Sequence, residues 1–257
     1  MSGDPRRGTY PSLIDRLALV TGGASGIGAT IVTALARQQA QVAVIDVDDR
    51  AANTLCDRIE EEAGRRPWYL HADVTDVPAL QAAVASAIAD LGGLSILVNN
   101  VGNDTRHTPD EVSEAFWRKT LAINLDAAFF ATQAAAPALL ESGGSIINIG
   151  SIQTILGSES MVAYITAKSG LAGLTKALAS DYGHGSVRVN TITPGWVLTE
   201  RQRELWATPE AIADWQQQSR LQGELLPEDI ASMVLFLAAD DSRMITAQDF
   251  VVDAGRG

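Results

Sequence analysis

Tyr164 and Lys168 lie four residues apart in the run SIQTILGSESMVAYITAK, residues 151–168, so on a helix they stand one turn apart on one face. An ammonium beside a phenol favours the phenolate and lowers the tyrosine pKa from its reference of ~10. A phenol tuned in this way can accept a proton near neutral pH. Ser151 sits just upstream, after the apolar run of residues 145–150, which reads as a buried strand. The carboxyl end of such a strand faces the crevice where open α/β sheets bind ligands. Hydroxyl, phenol and ammonium together could therefore hold an alcohol oxygen and move its proton.

A second constellation supplies a partner for that chemistry. Gly22, Ser25, Gly26, Ile27 and Gly28 fall between the apolar run of residues 17–21 and a helical pattern through Ile31 and Leu35. Asp46 closes the next apolar run, residues 41–46. Strand, glycine turn, helix, strand and acid follow in the order of a dinucleotide site. The glycines let backbone amides approach a pyrophosphate at the helix N-terminus, where the macrodipole favours anions. Asp46 is placed to hydrogen-bond ribose hydroxyls and to repel a 2′-phosphate, which favours NAD over NADP; its other reading is a turn-forming carboxylate.

The elements that must position these groups alternate along the chain. Helical patterns cover residues 49–64, 75–91, 108–140, 161–182 and 227–239, and strands are predicted at 67–73, 94–98, 186–193 and 249–253. Residues 199–223 form a polar, glutamine-rich helical excursion. Strands alternating with helices imply an α/β fold, a doubly wound parallel sheet covered on both faces. No repeat or linker divides the chain, which predicts a single domain over residues 15–257 behind a flexible N-terminal arm, residues 1–14.

Composition narrows the function classes. The chain has 257 residues, 46% hydrophobic and 19% charged, which is globular composition. A net charge of -12 leaves no basic footprint for nucleic acid. The single cysteine, Cys56, excludes an intrachain disulfide or a cysteine-based zinc site and reads as buried filler. His71, His107 and His184 lie in separate segments without metal-ligand spacing. The N-terminus has no apolar leader and no run is long enough to span a bilayer, so a cytoplasmic protein with no membrane partner is expected.

Taken in order, Thr21-Gly-Gly-Ala-Ser-Gly-Ile-Gly28, Asp73-Val74, Asn99-Asn-Val-Gly102, Asn124, Ser151, Tyr164-x-x-x-Lys168 and Pro194-Gly195 resemble the short-chain dehydrogenase/reductase family. The resemblance runs from about residue 15 to the end. Val101 departs from the alanine usual there. The resemblance implies a seven-stranded Rossmann-type sheet and a tetrad of Asn124, Ser151, Tyr164 and Lys168. Tyr164 would be the general base in oxidation and the acid in reduction. Ser151 would bond the reacting oxygen. Lys168 would hold the nicotinamide ribose and lower the Tyr164 pKa, and Asn124 would support a water leading from Lys168 to solvent. Asn124 could equally satisfy a helix kink, and Ser151 could simply end a strand. For the cofactor, the resemblance implies Asp73 and Val74 at the adenine, Asn100 and Gly102 at the adenosine ribose, and Pro194, Gly195, Val197 and Thr199 around the carboxamide. Related enzymes pair into tetramers, so a homotetramer is expected.

The variable loops set the substrate. Residues 103–107 (NDTRH), 196–203 (WVLTERQR), 206–210 (WATPE) and 253–257 (DAGRG) are the informative ones, with 196–223 as a substrate lid. Their pattern is similar to bacterial aldose 1-dehydrogenases of the same family, D-xylose 1-dehydrogenases in particular. That implies a sugar substrate oxidised at C1 to an aldonolactone. Asn103, Gln153 and Trp196 are the candidate sugar contacts beside Ser151 and Tyr164. They could instead cap a turn, sit solvated in a loop and pack in the core, respectively. Asp104, Arg106 and His107 are expected to tie their loop down. The competing readings are a 3-oxoacyl-carrier-protein reductase, a secondary-alcohol dehydrogenase and, outside enzymes, an NAD-binding scaffold, which would normally have lost Tyr164 or Lys168.

Overall fold

The computed structural model describes residues 8–257. Seven strands, β1 (Leu17–Thr21), β2 (Gln41–Asp46), β3 (Trp68–His71), β4 (Ile96–Asn99), β5 (Ser145–Ile149), β6 (Arg188–Pro194) and β7 (Asp249–Val252), form one sheet in the order β3-β2-β1-β4-β5-β6-β7. Every neighbouring pair is parallel. The central strands are runs of Val, Ile, Leu and Ala because both of their faces are covered. Helices α1 (Gly26–Arg37), α2 (Asp49–Ala63) and α10 (Pro227–Ala238) pack on one face around Val20, Val44, Ile31 and Val234. Helices α3 (Val77–Leu91), α5 (Ala127–Ser142) and α7 (Val162–Tyr182) pack on the other around Leu19, Ile45, Leu97 and Leu139. Strand order reverses between β1 and β4, which opens the crevice at the carboxyl ends of the strands. This is a single Rossmann-like domain.

Local chemistry sets the helix boundaries. Asp48 and Asp76 accept from the amides of Ala51 and Ala79 and start α2 and α3. Gly64, Gly92 and Gly143 end α2, α3 and α5 in the left-handed region that glycine enters without penalty.

Four expectations are corrected. Residues 108–140 are not one helix: a 3-10 turn (Pro109–Glu111) precedes α4 (Glu114–Leu121), and a π turn (Ala122–Asp126) separates α4 from α5. The lid is two helices, α8 (Glu200–Leu205) and α9 (Pro209–Gln218), each started by a threonine hydroxyl, from Thr199 and Thr208. Residues 8–14 are docked rather than loose. Leu13 is fully buried, the Tyr10 amide donates to Gln38 Oε1 and Gln38 Nε2 donates to the Gly8 carbonyl. The rest of the expected arm lies outside the described residues. A short helix, α6 (Gln153–Leu156), follows Ser151 where only a loop was foreseen.

Two glycines yield predictions of opposite sign. A Cβ at Gly28 would lie 2.0 Å from the Gly22 carbonyl oxygen, backbone that cannot yield. Gly173, exposed in the middle of α7, has nothing within 4 Å of such an atom. Gly28→Ala should therefore lower stability by about 3 kcal/mol. Gly173→Ala should raise it by about 0.5–1 kcal/mol. Urea unfolding midpoints at unchanged m-value check both.

Candidate active site

The crevice is a cleft of about 820 Å³. Its floor is the first turns of α7, where Tyr164 and Lys168 are both buried. Among the described residues no carboxylate forms an ion pair with the Lys168 ammonium. The ammonium donates to the Ile149 carbonyl at 2.8 Å and, more weakly, to the Val101 carbonyl at 3.4 Å. Burial pulls its pKa down to about 8. The Tyr164 phenol moves the other way: burial pushes it up to about 12, a hydrogen bond with Ser151 and the charge of Arg201 oppose the rise, and Asp104 adds to it. The expected lowering of Tyr164 by Lys168 is thus not what this environment produces. Desolvation sets the direction, and the charges that act on the phenol are those of Asp104 and Arg201.

The π turn places Asn124, itself buried, against the loop after β4. Its Oδ1 accepts from the Asn103 amide at 2.9 Å, and its Nδ2 donates to the carbonyls of Thr120 at 3.0 Å and Asn103 at 3.2 Å. Asn124 therefore both satisfies the helix irregularity and clamps the loop that passes Lys168. Gly102, on that loop, lets it approach the ammonium closely: a Cβ there would lie 3.2 Å from Lys168 Nζ, a tight contact.

The glycine side of the cleft is lined by Gly22, Ser25, Gly26, Ile27 and Gly28, with Asp46, Asn100 and Gly102 beside them. The first helical hydrogen bond of α1 is from Ala29 to the Ser25 carbonyl, so the amides of Gly26, Ile27 and Gly28 have no acceptor within the helix. Asn100 Nδ2 donates to the Gly22 carbonyl at 2.8 Å and fixes the turn. Asp46 accepts from the amides of Ala24, Val47 and Asp48, which holds its carboxylate at the end of β2. Pro194, Gly195, Val197 and Thr199 also line the cleft. Asp73 and Val74 do not: Asp73 accepts from the Thr75 amide and hydroxyl, and Val74 is buried in the core.

The outer wall comes from the lid. Asp104 Oδ1 accepts from Arg201 at 2.5 Å and its Oδ2 from Gln202 Nε2 at 2.8 Å, while Gln202 Oε1 accepts from the Trp196 indole at 2.9 Å. Burial raises the Asp104 carboxyl, and the Arg201 and Gln202 bonds more than offset this, leaving it below the ordinary range. Arg106 stacks its guanidinium 4.1 Å from the Trp206 ring centre, and Trp196 meets Trp215 edge-on at 5.9 Å. Gln153 lines the cleft with its Oε1 buried and unpartnered. Asn103 does not line it: its Oδ1 accepts from the Thr105 amide and hydroxyl, the turn-capping alternative. Trp206, Trp215 and Gln202 were not singled out from sequence as wall residues. Three of the chain's five tryptophans falling within residues 196–215 was the available signal.

A sequence model described as Enoyl-(Acyl carrier protein) reductase matches residues 22–256. The Rhizobium meliloti (strain 1021) protein named "Probable galactose dehydrogenase GalD" is 44% identical over 96% of both chains. D-xylose 1-dehydrogenase of Caulobacter vibrioides is 41% identical over 96% of this chain and 97% of its own. The chain belongs to the short-chain dehydrogenase/reductase family. A Serratia marcescens member, solved as a double mutant, superposes with a TM-score of 0.89 at 34% identity, covering 95% of this chain and 99% of its own. A 7α-hydroxysteroid dehydrogenase in complex with NADH superposes at 0.90 with 30% identity, covering 95% and 96%. This short-chain dehydrogenase/reductase is an oxidoreductase, and its family binds nicotinamide cofactors. The residues present fit one: unpaired α1 amides face the cleft, Gly28 permits close approach there, and a fixed carboxylate ends β2.

The buried lysine has a measurable cost. Its folded pKa of about 8 lies below the unfolded reference of ~10.4, so the unfolded chain binds more protons between those values and Lys168's penalty is relieved as pH rises through that window. Lys168→Met should therefore raise Tm at pH 7 by about 2–6 °C, after allowing for the lost Ile149 bond. The gain should shrink by pH 10. Thermal unfolding of both proteins at the two pH values tests this.

Proposed function

We propose that this enzyme is an NAD-dependent sugar 1-dehydrogenase that oxidises the C1 hydroxyl of an aldopyranose to the aldonolactone. The observation that carries this reading is the wall over Ser151 and Tyr164: three indoles with Gln153, Gln202, Arg106 and Arg256 beside them, rather than an apolar slot. Indole faces cover the C–H surface of a sugar while amides and guanidinium groups meet its hydroxyls. The relatives named galactose and D-xylose dehydrogenases support the same reading.

The Ser151 hydroxyl and the Tyr164 phenol would hold the C1 oxygen. Tyr164, as phenolate, would take the hydroxyl proton as the C1–H bond breaks and the C1–O double bond forms. The nicotinamide, when bound, accepts the hydride. Lys168 would hold the nicotinamide ribose with its ammonium and offer a cation to the phenolate. Asn124 would keep the loop of residues 100–103 in register with both. Burial pushes the phenol up to about 12 and pulls the Lys168 ammonium down to about 8, so oxidation should accelerate as pH rises toward about 8 and level off or fall above it as the ammonium is lost, and reduction should be favoured toward neutral pH. Asp46, with Asp48 and Asp49 following, sets the preference for NAD over NADP.

Two measurements test the reading. Purified enzyme should reduce NAD with a free aldose and not with its 1-O-methyl glycoside, and Tyr164→Phe should lower kcat by about 10²–10⁴-fold while NADH still binds. Turnover of the glycoside, or of a 3-oxoacyl thioester in its place, overturns the sugar assignment; undiminished turnover in Tyr164→Phe overturns the proton acceptor. Separately, NADP should support less than about a hundredth of the NAD kcat/KM, as expected for ~3 kcal/mol of unfavourable charge. Asp46→Ala should narrow that ratio, and equal use of both cofactors by the unaltered protein removes Asp46 from the role.

A further inference from the structure

The segment after β7, Asp253–Gly257, folds back on itself through Ala254 and Gly255, both with positive φ (60° and 77°). Asp253 is 5% exposed, and its carboxylate accepts from the amides of Gly255 at 2.8 Å, Arg256 at 3.1 Å and Gly257 at 2.7 Å. The Ala254 carbonyl accepts from the amides of Arg220 and Leu221, just beyond α9. On its inner side the segment abuts the Pro194–Gly195 turn: a Cβ at Gly195 would lie 2.8 Å from Asp253 Cα. A buried carboxylate is thus devoted to ordering a few residues against the cleft.

Those bonds fix the side chain of Arg256. Its guanidinium lies 4.5 Å from the Trp215 ring centre, donates through Nη1 to the amide oxygen of Gln218 and lines the cleft. Its Nε–H is buried and has no partner, and among the described residues no carboxylate forms an ion pair with it. Both that nitrogen and the unpartnered Gln153 Oε1 lie below the accessible surface. Nη2 has no hydrogen bond among the described residues, and a ligand hydroxyl can accept from it.

We infer that Arg256, oriented by Asp253, hydrogen-bonds a sugar hydroxyl other than that at C1 and thereby selects among aldoses. The inference rests on the sugar 1-dehydrogenase reading. Asp253 is a positioning residue; Arg256 is a binding residue.

The test compares the unaltered enzyme with Arg256→Ala and Arg256→Gln across a preferred aldose and its 2-, 3- and 4-deoxy analogues, with NAD saturating. Both variants should raise KM for the aldose by about 10–100-fold, the scale of a hydrogen bond to a charged group, and leave KM for NAD within about twofold. One deoxy analogue, discriminated against by the unaltered enzyme, should be used about equally with its parent by the variants. Thermal unfolding of each variant separates a folding defect from lost recognition, and Arg256→Lys should recover part of the affinity. An unchanged KM for the aldose, or equal loss for sugar and NAD, overturns the role of Arg256 while leaving aldose oxidation standing. Absence of aldose oxidation in the unaltered protein overturns the underlying reading and this assignment with it.

Discussion

A buried ammonium without a carboxylate is the constraint around which the molecule is arranged. Among the described residues Lys168 is solvated by two carbonyl oxygens, that of Ile149 at the end of β5 and that of Val101 in the loop after β4. For both to reach it, the strands must end at matched heights and the intervening loop must come within contact distance of the ammonium. Parallel registry of β4 with β5 meets the first demand. Gly102 eases the second, because a Cβ there would lie 3.2 Å from Nζ and one of the two would have to shift. The π turn of residues 122–126 presents Asn124 to the Asn103 peptide from the other side. Four separate pieces of chain are thus committed to housing one charge.

The lid is joined to this arrangement by polar contacts of a different kind. Asp104, on the same loop as Gly102, reaches Arg201 and Gln202 at the start of α8, and Gln202 in turn holds the Trp196 indole. The aromatic wall is therefore hung from the catalytic loop by one carboxylate. The π-faces of Trp206 and Trp215 are each covered by a guanidinium, Arg106 and Arg256, an arrangement that stiffens long side chains without closing the cleft.

Most of the fold was legible because strands buried on both faces read as uninterrupted Val, Ile and Leu, and because Asp48, Asp76 and the glycines of the C-caps mark boundaries chemically. Tyr164, Lys168, Ser151 and Asp46 were legible from type and spacing. The π turn entered only as the alternative reading of Asn124, a polar residue satisfying a helix kink, because its five residues carry the same apolar and polar pattern as the helices on either side. The direction of the Tyr164 shift was misread because spacing reports a neighbouring charge but not burial. Asn103 was placed in the substrate site by its position after Gly102, while its side chain is consumed by Thr105, a local bond that the sequence offers equally. Arg256 lies about a hundred residues from Gln153, with which it shares the cleft, and no periodicity links the two.

The sheet's hydrogen bonding does not stop where the strands do. The Gly150 amide donates to the Ile192 carbonyl, Ile152 to Pro194 and Gly195 to Val252, so the ladder carries on past β5 and β6 and takes the loop bearing Ser151 with it. Ser151 is in effect a sheet residue, whereas the lid is attached mainly through side chains. Inherited change can then fall unevenly: substitutions in the lid can retune recognition while the register around Ser151 stays untouched. A lineage can explore new substrates without rebuilding its chemistry.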